Sequence, residues 1–227
     1  VEIIAGGLDH KVYAFNIDGS DVEGFPVVVG VEERITVPEL GTPVVVDIND
    51  DGQLEIILLG QFNRVNGFLS VVNSDGSIMD GFPKDLVGKK GADTVAVGDL
   101  DDDEQYEIVV GLGNGLYVYN SDGSLRQGFP VNLGESVSFR SSPIIGDYNN
   151  DGDGEILVIS SLDGFYKVSM VNGDGNVIWD EDLGQEYVNV APVAGDLDND
   201  GKTDIIVGSK VIYRFEPGMR LGGGLYW

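Results

Sequence analysis

Short unbroken apolar runs punctuate the chain: Val44-Val45-Val46, Ile56-Ile57-Leu58-Leu59, Ile108-Val109-Val110 and Ile205-Ile206-Val207. Each ends at Gly or Asp, and no long stretch carries helical spacing, so the pattern predicts short β-strands. A strand with one wet face alternates apolar and polar residues. Unbroken runs therefore predict burial on both faces, as in sheets stacked face to face around an axis. In the clearest unit, strand one runs from Pro43 to Asp47, strand two from Glu55 to Gly60 and strand three from Phe68 to Asn73. Tight turns at Asn66-Gly67, Asn114-Gly115 and Asp163-Gly164 are expected to join strands two and three, because those dipeptides favour the positive φ of a two-residue hairpin. Strand four is expected around Gly-Phe-Pro, where proline suits an outer edge.

These features repeat. An Asp-rich segment starts at Asp47 and returns at Asp99, Asp147 and Asp196, spaced by 52, 48 and 49 residues. Val1-Glu2-Ile3-Ile4 matches the tail of a further copy whose loop is absent. The same period places turns at Asp18-Gly19, Asp75-Gly76, Asp122-Gly123 and Asp174-Gly175. Gly24-Phe25-Pro26, Gly81-Phe82-Pro83 and Gly128-Phe129-Pro130 follow the first three turns, whereas Ile178-Trp179-Asp180 follows the fourth. A fixed period of about fifty residues marks a repeat architecture and disfavours a β-sandwich or a short-repeat β-helix. The expected fold is all-β: a β-propeller of four-stranded antiparallel blades, with about five repeats visible, complete or part of a larger ring. Its approximate units are 1–41, 42–91, 92–140, 141–190 and 191–218, with a non-repeat tail at 219–227.

The repeated loops read Asp-x-[Asp/Asn]-x-Asp-[Gly/Glu]-x-x-[Glu/Asp]. Positions 1, 3, 5, 7 and 9 are Asp47, Asn49, Asp51, Gln53 and Glu55 in the first loop, and Asp99, Asp101, Asp103, Gln105 and Glu107 in the second. They are Asp147, Asn149, Asp151, Asp153 and Glu155 in the third, and Asp196, Asp198, Asp200, Lys202 and Asp204 in the fourth. Alternating oxygen side chains converge on a hard cation, and an oxygen-only set suits Ca²⁺ better than zinc or copper. Position 7 is expected to act through its backbone carbonyl, since Lys202 has no acceptor in its side chain. An EF-hand would need an acid at position 12, where this chain has Leu58, Val110, Val158 and Val207. Glu104 stands where the other loops have glycine, so strain is expected there if the position requires positive φ.

Charge sharpens this picture. Asp and Glu number 39 against 13 Lys and Arg, a formal net charge of −26. Such a surface repels nucleic-acid phosphates and anionic membranes, and no apolar run is long enough to span a bilayer. Of the 39 acids, 14 occupy side-chain ligand positions, and four Ca²⁺ ions would bring the charge to −18. The chain has no cysteine. Its start lacks a basic region and an apolar signal core, so any secretion signal is expected to have been removed already.

With these loops, their strand-turn-strand flanks and this period, the chain resembles the FG-GAP and VCBS-type repeats of integrin α-subunit propellers and secreted bacterial proteins. The order Asp-Gly-Ser, Gly-Phe-Pro, then Ser142-Pro143 before an Asp loop is especially similar to the bacterial versions. The resemblance covers nearly the whole chain and implies a propeller, up to four calcium ions in the loops and an extracellular setting. It transfers no activity, because the fold carries adhesins, lectin-like domains and polysaccharide lyases alike.

The leading expectation is a non-enzymatic adhesion or binding module for a protein or glycan outside the cell. Carboxylate pairs also suit a glycosidase, but their presence in every unit points to metal instead. A lyase reading would draw on Arg64, Lys89, Lys90 and Arg140. A third reading is a subunit of an extracellular filament or surface layer, self-assembling through incomplete terminal repeats. His10, the single histidine, falls in a turn slot. Phe25, Phe82 and Phe129 recur with the period and are assigned to packing between blades. Trp179, Tyr187 and Trp227 break the period and are the aromatic candidates for ligand contact, with packing the first assignment for each.

Overall fold

The computed structural model describes residues 2–29, 39–63, 66–86, 95–113, 115–135, 137–139, 141–149, 151–216 and 225–226. Arg64, Lys89, Lys90, Arg140 and Trp227 lie outside them. The described residues form five antiparallel sheets in chain order and contain no helix.

The first sheet has three strands, Glu2–Gly6, Lys11–Asn16 and Val27–Val28. The second is centred on Glu55–Asn63 and Asn66–Val72, with Lys84–Leu86 outside and Val44–Val46 inside. The third runs Ala96–Gly98, Glu107–Leu112, Gly115–Tyr119 and Val131–Asn132. The fourth has Ile144–Gly146, Glu155–Leu162, Phe165–Val171 and Val177–Gly184. The fifth has Val193–Gly195, Asp204–Gly208, Ile212–Phe215 and Leu225–Tyr226. Two sheets carry an extra inner strand: Glu39–Leu40 pairs with the end of Glu55–Asn63, and Ser138–Phe139 with the end of Glu155–Leu162. Pro43 and Pro143 stand between these strands and Val44–Val46 and Ile144–Gly146. Proline donates no N–H, so the innermost ladder breaks there.

Buried clusters fill the gaps between successive sheets. Ile56 and Leu58 face the first sheet, while Ile57 and Leu59 face the third. Ile108 and Val110 pack back on the second sheet, and Val109 packs on the fourth. Ile156 and Val158 face the third, and Leu157 and Ile159 face the fifth. Alternate residues of one strand thus serve two interfaces, which is why the runs are unbroken. Burying each such side chain contributes roughly 1.5–3 kcal/mol. The innermost strands depart from this expectation: Val45 is 44% exposed and Val193 63%, because only one side of an inner edge is covered.

The Gly-Phe-Pro and Asp-Gly-Ser motifs lock neighbouring sheets together. Each Phe-Pro bond is cis, and Phe25, Phe82 and Phe129 enter the intersheet clusters. Gly24, Gly81 and Gly128 lie against the backbone carbonyls of Asp75, Asp122 and Asp174 in the next sheet, where a Cβ would come within 2.1, 2.2 and 2.1 Å. In the fourth sheet Trp179 replaces this contact, meeting Phe215 edge-on at 5.4 Å between centroids.

Two expected hairpin turns are displaced. Gly67 and Gly115 lie inside strands, and the turn in the third sheet falls between Leu112 and Gly115, with Gly113 at φ +58. Gly67 is needed for close approach instead: a Cβ there would stand 2.7 Å from the Gly60 carbonyl oxygen. Asp163-Gly164 is the turn expected, with both residues at positive φ. His10 takes φ +65 in the first hairpin turn.

Candidate functional site

Each Asp-rich loop links an inner strand to the buried second strand, and all four share one hydrogen-bond scheme. The position-1 carboxylate accepts two backbone N–H groups from its own loop. Asp47 accepts from Asp51 at 3.0 Å and Gly52 at 2.8 Å, and Asp99 from Asp103 at 3.3 Å and Glu104 at 2.9 Å. Asp147 accepts from Asp151 at 3.2 Å and Gly152 at 3.1 Å, and Asp196 from Asp200 at 3.1 Å and Gly201 at 3.0 Å. The position-5 carboxylates of Asp51, Asp103, Asp151 and Asp200 each accept the N–H of position 7 at 2.8–3.0 Å.

This curl sets the backbone conformation. Position 6 takes φ of +85 at Gly52, +100 at Gly152, +83 at Gly201 and +68 at Glu104. Three loops meet this with glycine, whereas Glu104 adopts it at a cost of roughly 1–2 kcal/mol. Position 4 is also left-handed, at Asp50, Asp102 and Asn199, residue types that tolerate it.

Position 9 is buried. Glu55, Glu107, Glu155 and Asp204 are 1–2% exposed, and each accepts the N–H of position 2, from Ile48, Leu100, Tyr148 and Leu197 respectively. Burial pushes the Glu107 carboxyl up to about 7, against the lowering effect of the Leu100 N–H and the nearby Arg126. Burial likewise raises Glu55 and Glu155, and neighbouring aspartates add to the rise. A buried carboxylate surrounded by other carboxylates calls for a counter-charge.

In two loops the acids close tightly: carboxylate oxygens of Asp99, Asp101 and Glu107 lie within 4.8 Å of one another, as do those of Asp196, Asp198 and Asp204. The other two loops carry Asn at position 3. Asn49 donates to Asp51 at 3.1 Å, and Asn149 to Asp151 at 2.9 Å and Glu155 at 3.0 Å. The donors around every loop are oxygens, buried at one end and open at the other, a set that fits a hard divalent cation. At position 7 the side chains of Gln53 and Gln105 are engaged outside the loop, with Ser74 and Ser121, that of Lys202 pairs with Asp200 at position 5 of its own loop, and Asp153 is exposed. Position 12 is sealed in the core: Leu58, Val110, Val158 and Val207 are fully buried.

Sequence reasoning missed Arg126 and Arg214. Arg126 meets Asp101 at 2.9 Å and Glu107 at 3.6 Å. Arg214 bonds Asp204 through Nε at 2.7 Å and Nη2 at 2.9 Å, and also bonds Asp198. The signal was a departure from the period. Arg126 takes the slot of Met79 after Asp-Gly-Ser, and Arg214 takes the strand-three register of Met170. Of the aperiodic aromatics, Trp179 packs between sheets, while Tyr187 is 61% exposed and meets Tyr166 edge-on.

Comparison with known proteins agrees with this architecture. A family model described as an FG-GAP-like repeat matches residues 99–158. No curated protein matches the chain. Among solved structures, the rhamnogalacturonan lyase PL11 of Bacillus licheniformis is similar with a TM-score of 0.57 at 15% identity, over 89% of this chain and 48% of that one. The exotype rhamnogalacturonan lyase YesX is similar with a TM-score of 0.60 at 15% identity, over 95% and 48%. The Dos1 propeller is similar with a TM-score of 0.56 at 12% identity, over 100% and 66%. The chain spans about half the length of the two lyases. At these identities the likeness is one of fold. Residues 99–158 match an FG-GAP-like repeat, and the fold of the chain is that of a β-propeller.

Proposed function

We propose that this chain is an extracellular calcium-binding propeller that serves as an adhesion or binding module for a protein or glycan. Up to four structural Ca²⁺ ions would sit in the Asp-rich loops. The observation that carries the metal reading is the buried position-9 acid, repeated in all four loops, with carboxylate oxygens gathered within 4.8 Å of one another in the loops starting at Asp99 and Asp196. Oxygen-only coordination at a partly open loop favours calcium over magnesium, which keeps more water. The repeat of one constellation in four of the five units supports a structural metal over a single catalytic centre. The acidic surface, with net charge −26, supports work where calcium is millimolar, since extracellular modules use sites of 10⁻⁴–10⁻³ M. Among the described residues no helix is long and apolar enough to cross a membrane.

Chelation tests this reading. A ligand bound only by the folded state stabilises it by about 2.7 kcal/mol per site at a hundredfold excess over Kd. EDTA should therefore lower the melting temperature markedly, and calcium should restore it. Unchanged melting, together with no calcium by elemental analysis, would leave the loops as turns only. The adhesion reading is tested by glycan arrays and cell-adhesion assays, and fails if both are negative.

A second reading, cleavage of a pectic polysaccharide, draws support from the likeness to two rhamnogalacturonan lyases. Release of unsaturated sugars from rhamnogalacturonan would establish it, and absence of release would remove it.

A further inference from the structure

The four loops are not equivalent, and the difference follows a rule of charge. Loops with Asn at position 3 carry three carboxylates at positions 1, 3, 5 and 9, and loops with Asp there carry four. A guanidinium enters both four-carboxylate loops. Arg126 touches positions 3 and 9 of its loop, Asp101 and Glu107. Arg214 touches the same two positions, Asp198 and Asp204. The two arginines come from different elements, one from the segment after Asp-Gly-Ser and one from the third strand of its sheet. Two independent routes to one pair of positions, among the described residues only where an extra acid is present, mark compensation. Each loop of either type then carries a net charge of −3 over those positions and the arginine.

The guanidinium pairs with two members of each tight carboxylate cluster, and so competes for the oxygens that a cation would take. The side chains of Arg126 and Arg214 are only 15% and 14% exposed. Arg126 is further held by the Gly173 carbonyl at 3.0 Å, and the fourth loop has a second cation, Lys202, at 3.0 Å from Asp200.

We infer that Arg126 and Arg214 are resident counter-cations that divide the loops into two classes. This rests on the calcium reading above. The loops starting at Asp47 and Asp147 depend on calcium to neutralise their acids. The loops starting at Asp99 and Asp196 are closed by arginine in its absence and take calcium only when the guanidinium yields. Apparent affinity falls by the fraction of time the site is open, so these two loops bind about tenfold more weakly or worse.

Calcium bound per full-length chain, followed by equilibrium dialysis and calorimetry, tests this. The wild type should show two stronger and two weaker sites. The double variant Asp101→Asn/Arg126→Met rebuilds the Asn49 and Met79 chemistry of the second sheet, and should raise the stronger class to three. Arg214→Met, which restores the residue type of Met170, should do the same at the other loop. Stoichiometry decides, because loss of the Gly173 contact lowers stability for reasons unconnected with calcium. Four equivalent sites unchanged by either variant, or weaker binding in both, would overturn this inference and leave the calcium reading intact. No calcium bound by the wild type or either variant would overturn both.

Discussion

Gly19 and Gly76 occupy the same slot of the Asp-Gly-Ser turn and share φ +84, yet their surroundings differ. A Cβ on Gly19 would meet nothing within 4 Å, whereas one on Gly76 would lie 2.5 Å from the Gly24 carbonyl oxygen and 2.9 Å from its carbon. Alanine at either position carries the left-handed penalty of about 1–2 kcal/mol. Only Gly76→Ala must also push two backbones apart, and no rotamer relieves that clash. Overpacking of this kind adds about 1–3 kcal/mol. At about 2–4 °C per kcal/mol for a chain of this size, Gly19→Ala should lower the melting temperature by about 2–8 °C. Gly76→Ala should lower it by about 2–12 °C more. Differential scanning calorimetry at saturating calcium measures both, and the difference isolates contact between sheets from local backbone strain. Equal losses within a degree would refute the claim that these motifs lock successive blades.

The loops supply further tests. Asp151→Ala removes the acceptor for the Asp153 N–H and, on the calcium reading, a metal ligand, so it should cost about 1–3 kcal/mol in calcium. Asp153→Ala should stay within about 0.5 kcal/mol, because position 7 needs only its carbonyl; calorimetry separates the two. Glu104→Gly relieves the φ of +68 and should stabilise the chain by about 1 kcal/mol, read as a rise in melting temperature. In EDTA, Glu107 should make stability fall as pH rises. Its folded carboxyl titrates at about 7 against the usual 4.5, so the folded chain binds the extra proton and its contribution, complete below 4.5, is lost as pH climbs through 7. Melting in EDTA from pH 5 to pH 8 reads this, and a rise over that range would contradict it.

The period was legible because each repeat restates one physical solution: an apolar second strand, a curled acidic loop and a glycine turn. Position 6 could be assigned from chemistry alone, since one residue type dominates where φ must be positive, and Glu104 was recognisable as the exception. The displaced turns at Gly67 and Gly115 were not legible. Glycine serves both positive φ and close backbone approach, and a single sequence does not separate the two uses. The inner strands were misjudged for a related reason: valine suits a pleated strand whether one face or both are covered, so the exposure of Val45 and Val193 leaves no trace in composition. Arg126 and Arg214 left a trace only as charges in apolar slots, easily taken for variation in a repeat.

The placement of the basic residues shows how the fold manages its own charge. A chain with 39 acids and 13 basic residues cannot neutralise itself by pairing, so its few cations are informative by position. Lys167 is set between Asp180 and Asp182 on the neighbouring strand of an exposed sheet face, where such pairs contribute little. Arg126 and Arg214, by contrast, reach acids that are 2–3% exposed, where an unpaired charge is severely destabilising. The position-9 acid cannot simply be dispensed with, because it caps the N–H at the start of each loop and so fixes the curl that brings positions 1, 3 and 5 together. On the calcium reading proposed above, each of the four Asp-rich loops requires a cation, supplied from solution where position 3 is Asn and from the chain's own side chains where it is Asp.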